Sequence, residues 1–406
     1  MVDIKWTVAG YVTEAVPEGL DLKAEIRRMC KEKNAVIMAH YYTYGEIQDV
    51  ADFVGDSLAL AQQAAKTGAE IIVMCGVHFM GETNKIICPD KKVLVPDLNA
   101  SCSLAESCPP KEFGEFVAAH PDHTVISYVN TTAAIKALTD IVVTSGNAMQ
   151  IVDSLPKDEK IVFAPDRNLG NYINSVTGRQ MVLWNGACHV HEKFSLERIL
   201  ELKEKHPNAK ILVHPECKGP IVKVADKVGS TAALLKFSKE DEAKEFIVAT
   251  ESGILHKMQE ACPEKVFIPA PPEDSTCACN ECNYMKLITM EKLYNCLRYE
   301  WPEIEVTARA TLVKETVVLG SGTHTCTECE IEPDGSRSYV SFSESDDDVR
   351  ELFRDQEKSP MELITALERI VTQLMKAQKL RFYARYNLSE LLNACAGWDE
   401  IELIVE

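Results

Sequence analysis

From Asn34 to about Pro271 the chain alternates short β-type apolar runs with stretches whose apolar residues recur at helical spacing. The first cycle reads AVIMAHYY, then EIQDVADFVGDSLALAQQAAKTG as one amphipathic helical stretch with Gly68 as its C-cap, then EIIVMCGV. Later cycles carry VISYVN, DIVVTS, KIVFAPD, MVLWNG, KILVHPE, EFIVAT and KVFIPAP. Repeated βαβ units predict an α/β protein with parallel sheets and helices on both faces. Chemistry-bearing residues gather just after these runs: His40 and Tyr42, Tyr128 and Asn130, Ser145, Asp166, His214 and Glu216. That carboxyl edge is where open α/β sheets bind ligands.

The pattern changes after about Val306. Two β-type runs, TLVKETVVLG and SYVSFS, flank a Cys326-x-x-Cys329 pair, and the acidic stretch Ser343–Glu351 follows. Ser359-Pro360-Met361-Glu362 has the form of a capping box opening a helix with Leu363, Leu367, Ile370, Val371 and Leu374 on one side. Residues 306–406 read as a C-terminal appendage: a structural lid or dimer contact, a zinc-holding module or a thiol switch.

The chain has 406 residues, 46% of them apolar, enough for a large core and two or three domains. Its longest apolar runs, such as IIVMCGVHFM at 71–80, fall short of the roughly 20 residues that span a bilayer. No basic stretch followed by an apolar run opens the chain, so a cytoplasmic location is expected. A formal charge of −19 argues against nucleic acid or an anionic membrane as partner and leaves small anionic substrates open.

Fifteen cysteines without a secretory signal read as reduced thiols and metal ligands rather than a disulfide framework. Cys30, Cys75, Cys88 and Cys395, on apolar faces, read as core filler. Cys102, Cys188 and Cys282 recur in similar contexts at comparable intervals, each about one α/β unit long. The spacing suggests three comparable domains around a common centre, each sending in one thiolate, as for an iron–sulfur cluster. Three protein ligands would leave one iron of a four-iron cube open for catalysis. Cys277, Cys279 and Cys282 could instead hold zinc with Cys326 and Cys329, and spacing alone leaves both readings standing.

Longer motifs carry a resemblance. HYYTYGEIQDVADFVGDSLALA (40–61), GVHFMGETNKI (76–86), PDLNASCSLAESC (96–108), YVNTTAAIKA (128–137), TSGNA (144–148), PDRNLG (165–170), WNGACHVHEKF (184–194), HPEC (214–217), GST (229–231), ATESGILH (249–256) and CNECNYM (279–285) resemble, in order, the motifs of the quinolinate synthase family. The resemblance covers about residues 20–305. Ser101 stands where glycine is expected, and Gly81 where alanine is usual.

The resemblance implies three pseudo-symmetric α/β domains with short parallel sheets, at residues 20–108, 109–195 and 196–305, around a [4Fe–4S] cluster on Cys102, Cys188 and Cys282. Cys279 then becomes a neighbour able to act as a redox partner of Cys282. The implied reaction condenses iminoaspartate with dihydroxyacetone phosphate to quinolinate, losing phosphate and two waters. An aspartate-oxidising enzyme is the candidate supplier of iminoaspartate. Substrate-binding positions carried over are His40, Ser57, Tyr128, Val129, Asn130, Ser145, His214, Pro215, Glu216, Ser230 and Thr231, with Val129 and Pro215 contributing backbone or shape. His40, Tyr42, Tyr128, His214 and Glu216 are the acid–base candidates; His78, Asp166, His189 and His191 are expected in supporting roles. Competing readings are another iron–sulfur hydro-lyase on a small di-acid, or a zinc-stabilised metabolite sensor with the appendage as output module.

Overall fold

Strands β1 (Ala35–His40), β2 (Phe53–Gly55), β3 (Ile71–Cys75) and β4 (Lys92–Leu94) form one sheet in the order β2-β1-β3-β4. Strands β5 (Thr124–Tyr128), β6 (Ile141–Val143), β7 (Ile161–Ala164) and β8 (Val182–Leu183) form a second, ordered β6-β5-β7-β8. Strands β9 (Lys210–Val213), β10 (Lys227–Val228), β11 (Glu245–Ala249) and β12 (Val266–Pro269) form a third, ordered β10-β9-β11-β12. The computed structural model describes residues 4–273 and 281–306. Within them every strand pairing in these sheets is parallel, and the strand order is the same three times over. The fold is therefore three pseudo-symmetric α/β domains. Cys277, Cys279, Cys326, Cys329, Cys395 and the helix expected from Pro360 lie outside the described residues.

The central strands are rich in Val and Ile and almost wholly buried, as expected of strands covered on both faces. One device recurs in each domain: the Asp52 carboxylate accepts from the Ile37 amide (2.8 Å), Asp140 from Val125 (2.9 Å) and Asp226 from Ile211 (2.7 Å). The backbone amide of each aspartate also donates to the carbonyl of the same partner. Each aspartate thus ties the segment entering the second strand to the first strand of its sheet.

The stretch from Glu46 to Gly68, expected as a single helix, is two helices with a strand between them. Helix Gly45–Val50 ends at Ala51, Phe53–Gly55 pairs with β1 as an edge strand, and helix Ser57–Lys66 then begins. Asp52 and Asp56 explain the break, because both spend their carboxylates on backbone amides, the second as N-cap to Ala59 (3.0 Å). The C-cap is Thr67, whose amide donates to Gln63, rather than Gly68.

Helix Met290–Tyr299 returns to the first sheet, burying Leu293, Cys296 and Leu297 in one core with Ile37, Val73 and Leu94. Ile304 then donates its amide to Val93 (2.8 Å). Gly81 owes its identity to this closure, since a Cβ there would stand 2.6 Å from Val95 Cγ2 and 2.9 Å from Ile304 Cγ1. Cys75 and Cys88 are buried core residues, and Cys30 packs half-buried beside the former. No helix among the described residues is long and apolar enough to cross a membrane.

Candidate active site

Strand register superposes the three domains residue by residue. Ala39 pairs with Val54 and Cys75, Ser127 with Val142 and Ala164, Val213 with Val228 and Ala249. One residue beyond the first strand's member of each set stand His40, Tyr128 and His214, and three beyond stand Tyr42, Asn130 and Glu216. Three beyond the second strand's member stand Ser57, Ser145 and Thr231. Those nine residues all line one cavity, as do Cys102, Cys188 and Cys282, each from the segment after its sheet's fourth strand. The cavity holds about 650 Å³ of empty space, counting that open to solvent at its mouth. Val129, Pro215 and Ser230 do not line it. Ser230 is the N-cap of helix Thr231–Glu240, its hydroxyl accepting from Ala233 (3.3 Å).

Hydrogen bonds, with one close His191–Glu216 contact between them, join the domains across this space. Tyr128 Oη donates to Glu216 Oε1 (2.6 Å), and Glu216 Oε2 lies 3.3 Å from His191 Nδ1. His191 Nε2 meets Thr250 Oγ1 (2.9 Å), which meets Tyr42 Oη (2.8 Å), which also meets Thr231 Oγ1 (2.8 Å). Burial opposes ionisation of Glu216, but His191, His214 and Tyr128 outweigh it and hold the carboxyl at about 2. Burial pushes both tyrosines well above the usual phenol value, so they keep their protons. It also lowers His40 and His214 to about 3. The Nδ1 of each accepts from the amide two residues on, Tyr42 to His40 at 3.2 Å and Glu216 to His214 at 3.4 Å. Neutral rings accepting there carry their N–H at Nε2.

The three thiols share a local design. Cys102 is the N-cap of helix Ser103–Glu106, Cys188 of helix His189–Glu192, and Cys282 precedes the short 3₁₀ turn Met285–Leu287. The amides of Leu104 and Ala105 face the first, that of His191 the second, and those of Tyr284 and Met285 the third. Burial nevertheless raises all three thiols, Cys102 to about 12 and Cys282 to about 11. None is in a disulfide. Three soft donors with amides aimed at sulfur fit an iron–sulfur group, whose iron would replace the thiol protons. Separately, donor atoms of Cys188, His191 and Glu216 lie within 4.8 Å of one another, a set able to hold a single ion.

The supporting histidines separate. His191 lines the cavity and stacks on His214 at 4.7 Å, nearer the chemistry than expected from its motif. His189 Nδ1 meets Ser103 Oγ (2.6 Å), tying two cysteine segments together. His78 lies outside the lining, 3.8 Å from Glu82. Asp166 caps helix Arg167–Thr177 through Leu169 (2.8 Å) and is fully buried, which with the nearby Glu216 pushes its carboxyl well up. Sequence reasoning missed Glu251, which lines the cavity fully buried. The repeat contained the signal: two residues beyond the third strand's member of each matched set stand Val77, Asp166 and Glu251. Burial pushes the Glu251 carboxyl up to about 7, against the opposing pull of Lys286.

A family model described as Quinolinate synthetase A protein matches residues 24–318. Quinolinate synthase from Synechococcus sp. (strain ATCC 27144 / PCC 6301 / SAUG 1402/1) is 58% identical over 286 residues, 70% of this chain and 89% of that protein. The chain belongs to the quinolinate synthase family. Quinolinate synthase from Thermosynechococcus vestitus is 57% identical over 299 residues, covering 73% of this chain and 94% of its own. The quinolinate synthase of Synechocystis sp. (strain ATCC 27184 / PCC 6803 / Kazusa) is 58% identical over 310 residues, 76% and 96% of the two chains. The protein is an enzyme of the quinolinate synthase type, acting on small molecules.

Proposed function

We propose that the cavity condenses iminoaspartate with dihydroxyacetone phosphate to quinolinate, losing phosphate and two waters, as a cytoplasmic step of NAD biosynthesis. The observation that carries this reading is the meeting of three thiols and one acid–base network in a single cavity, in a chain of this family. The same reading divides the catalytic part at about residues 108 and 195.

Cys102, Cys188 and Cys282, which line the one cavity together, would hold a [4Fe–4S] cluster. With three protein ligands such a group supplies one open iron as a Lewis acid toward a hydroxyl, carboxylate or imine nitrogen. The chain's own residues supply the rest. The substrates bring carboxylates and a phosphate; the first-turn amides of helices Ser57–Lys66 and Thr231–Glu240, with the hydroxyls of Ser57, Ser145 and Thr231, bind such anions without bulk positive charge. Asn130 Oδ1, buried with no partner among the described residues, can accept from a substrate N–H. Carbon–carbon bond formation, isomerisation and two dehydrations each move protons. Ionised Glu216 accepts a proton at its carboxylate, and Tyr128 Oη, bonded to it, donates one. Tyr42 Oη is placed likewise at the far end of the network through Thr250 and His191. Neutral His40 and His214 present Nε2–H as donors. The imine is labile in water, and an enzyme that oxidises aspartate is the candidate supplier.

Anaerobically purified protein incubated with both substrates should accumulate the ultraviolet absorbance of quinolinate, and omission of the triose phosphate should abolish it. Dehydration of a di-acid without triose phosphate would establish the hydro-lyase instead, and a colourless protein with stoichiometric zinc the sensor.

A further inference from the structure

Glu251 and Lys286 have no part in the chemistry above, yet both sit at its edge, their side chains 1% and 10% exposed. We propose that they form a positioning pair that fixes two parts of the site at once, the backbone at Tyr42 and the segment presenting Cys282. The inference rests on the reading of Cys282 as an iron ligand.

The pair bonds directly to both segments. Glu251 Oε1 lies 3.0 Å from Lys286 Nζ and accepts from the Cys282 amide at 3.1 Å, while Oε2 accepts from Gly253 at 2.7 Å. Lys286 Nζ also donates to the Tyr42 carbonyl at 2.8 Å. Its own amide donates to the Cys282 carbonyl at 3.1 Å, so lysine and cysteine share one turn of chain. The Tyr41–Tyr42 backbone has no slack against this arrangement. A Cβ on Gly253 would meet Tyr41 O, Tyr42 Cα and Glu251 Oε2, each at 2.8 Å, and Gln48 Nε2, with two hydrogens to give, lies within hydrogen-bond distance of the carbonyls of Tyr41 (2.9 Å), Thr43 (2.9 Å) and Gly253 (3.1 Å). A buried ion pair is a poor source of stability, since apolar residues of similar volume serve as well or better. What this pair provides is a fixed separation between a residue of the first domain and a thiol from the segment that follows the third sheet. Losing it frees the Cys282 segment and lets Tyr42 Oη drift from Thr231 and Thr250.

The test uses the iron-loaded enzyme and two variants, Lys286→Met, which removes the cation, and Glu251→Gln, which keeps the shape. Wild-type iron and sulfide content establishes first whether the cluster is present; its absence there overturns the ligand reading rather than the pair. Given a loaded wild type, bleaching of the visible absorbance by a chelator, without substrate, should run about 10-fold faster or more in each variant. With both substrates kcat should fall about 10-fold or more while KM changes less than 3-fold. Bleaching and kcat at wild-type values in either folded variant, even with a lowered melting temperature, would reduce the pair to a structural contact. If Lys286→Met does not fold, Glu251→Gln alone decides by the same readings.

Discussion

At the scale of single residues the site works by burial. Tyr128 and Glu216 form one donor–acceptor unit across two domains, so Tyr128→Phe and Glu216→Gln should each lower kcat about 10²–10⁴-fold. Because they act as a unit, the double variant should be little worse than the poorer single one, which steady-state quinolinate formation measures. Wild-type rates in both would show the pair to be scaffold. His40 and His214 carry a stability signature as well. Burial holds them at about 3, against roughly 6.5 in an unfolded chain. Between those values the unfolded chain binds more protons, so stability rises with pH through the window and is lost as pH falls through it. Each histidine contributes a slope of up to about 1.4 kcal/mol per pH unit. Urea midpoints from pH 7 to 4 should fall accordingly, and His40→Asn should flatten the slope.

At the scale of elements, a helix start gives two neighbouring hydroxyls different partners. Ser230 spends its hydroxyl on the Ala233 amide, whereas Thr231 faces Tyr42 in the cavity. Ser230→Ala should therefore cost about 0.5–2 kcal/mol of stability, read by urea unfolding, with KM and kcat near wild type. Thr231→Val should leave stability nearly unchanged and lower kcat/KM at least 10-fold; the reverse pattern would exchange their roles. Element legibility followed the apolar run around a strand rather than the strand's own length. Nine strands stand out in such runs, β6 and β8 among them with only three and two residues, whereas the equally short β2, β4 and β10 do not. The break between Val50 and Ser57 escaped for a related reason. Its apolar pattern continues through, and only the two aspartates, with their local hydrogen bonds, mark the interruption.

At the scale of the whole molecule, one α/β plan used three times delivers equivalent positions to a common cavity. The cysteine intervals made that plan visible in the sequence, and the residues just after the strands marked the edge on which the site lies. The network through Thr250 and His191 was not visible, because it depends on contacts between domains that no local pattern encodes, whereas Glu251 stands at a repeated position that the strand register exposes. The central claim is that Cys102, Cys188 and Cys282 together hold one four-iron cluster on which quinolinate formation depends. Its most direct test is anaerobic iron and acid-labile sulfide analysis of the wild type, of the three single cysteine-to-serine variants, and of Cys108→Ser, whose thiol is buried away from the cavity. About four irons and four sulfides per chain are expected in the wild type and Cys108→Ser, with both lost in each of the other three. One metal ion without sulfide, pointing to the Cys188–His191–Glu216 set, or a Cys282→Ser variant that keeps four irons, would contradict it.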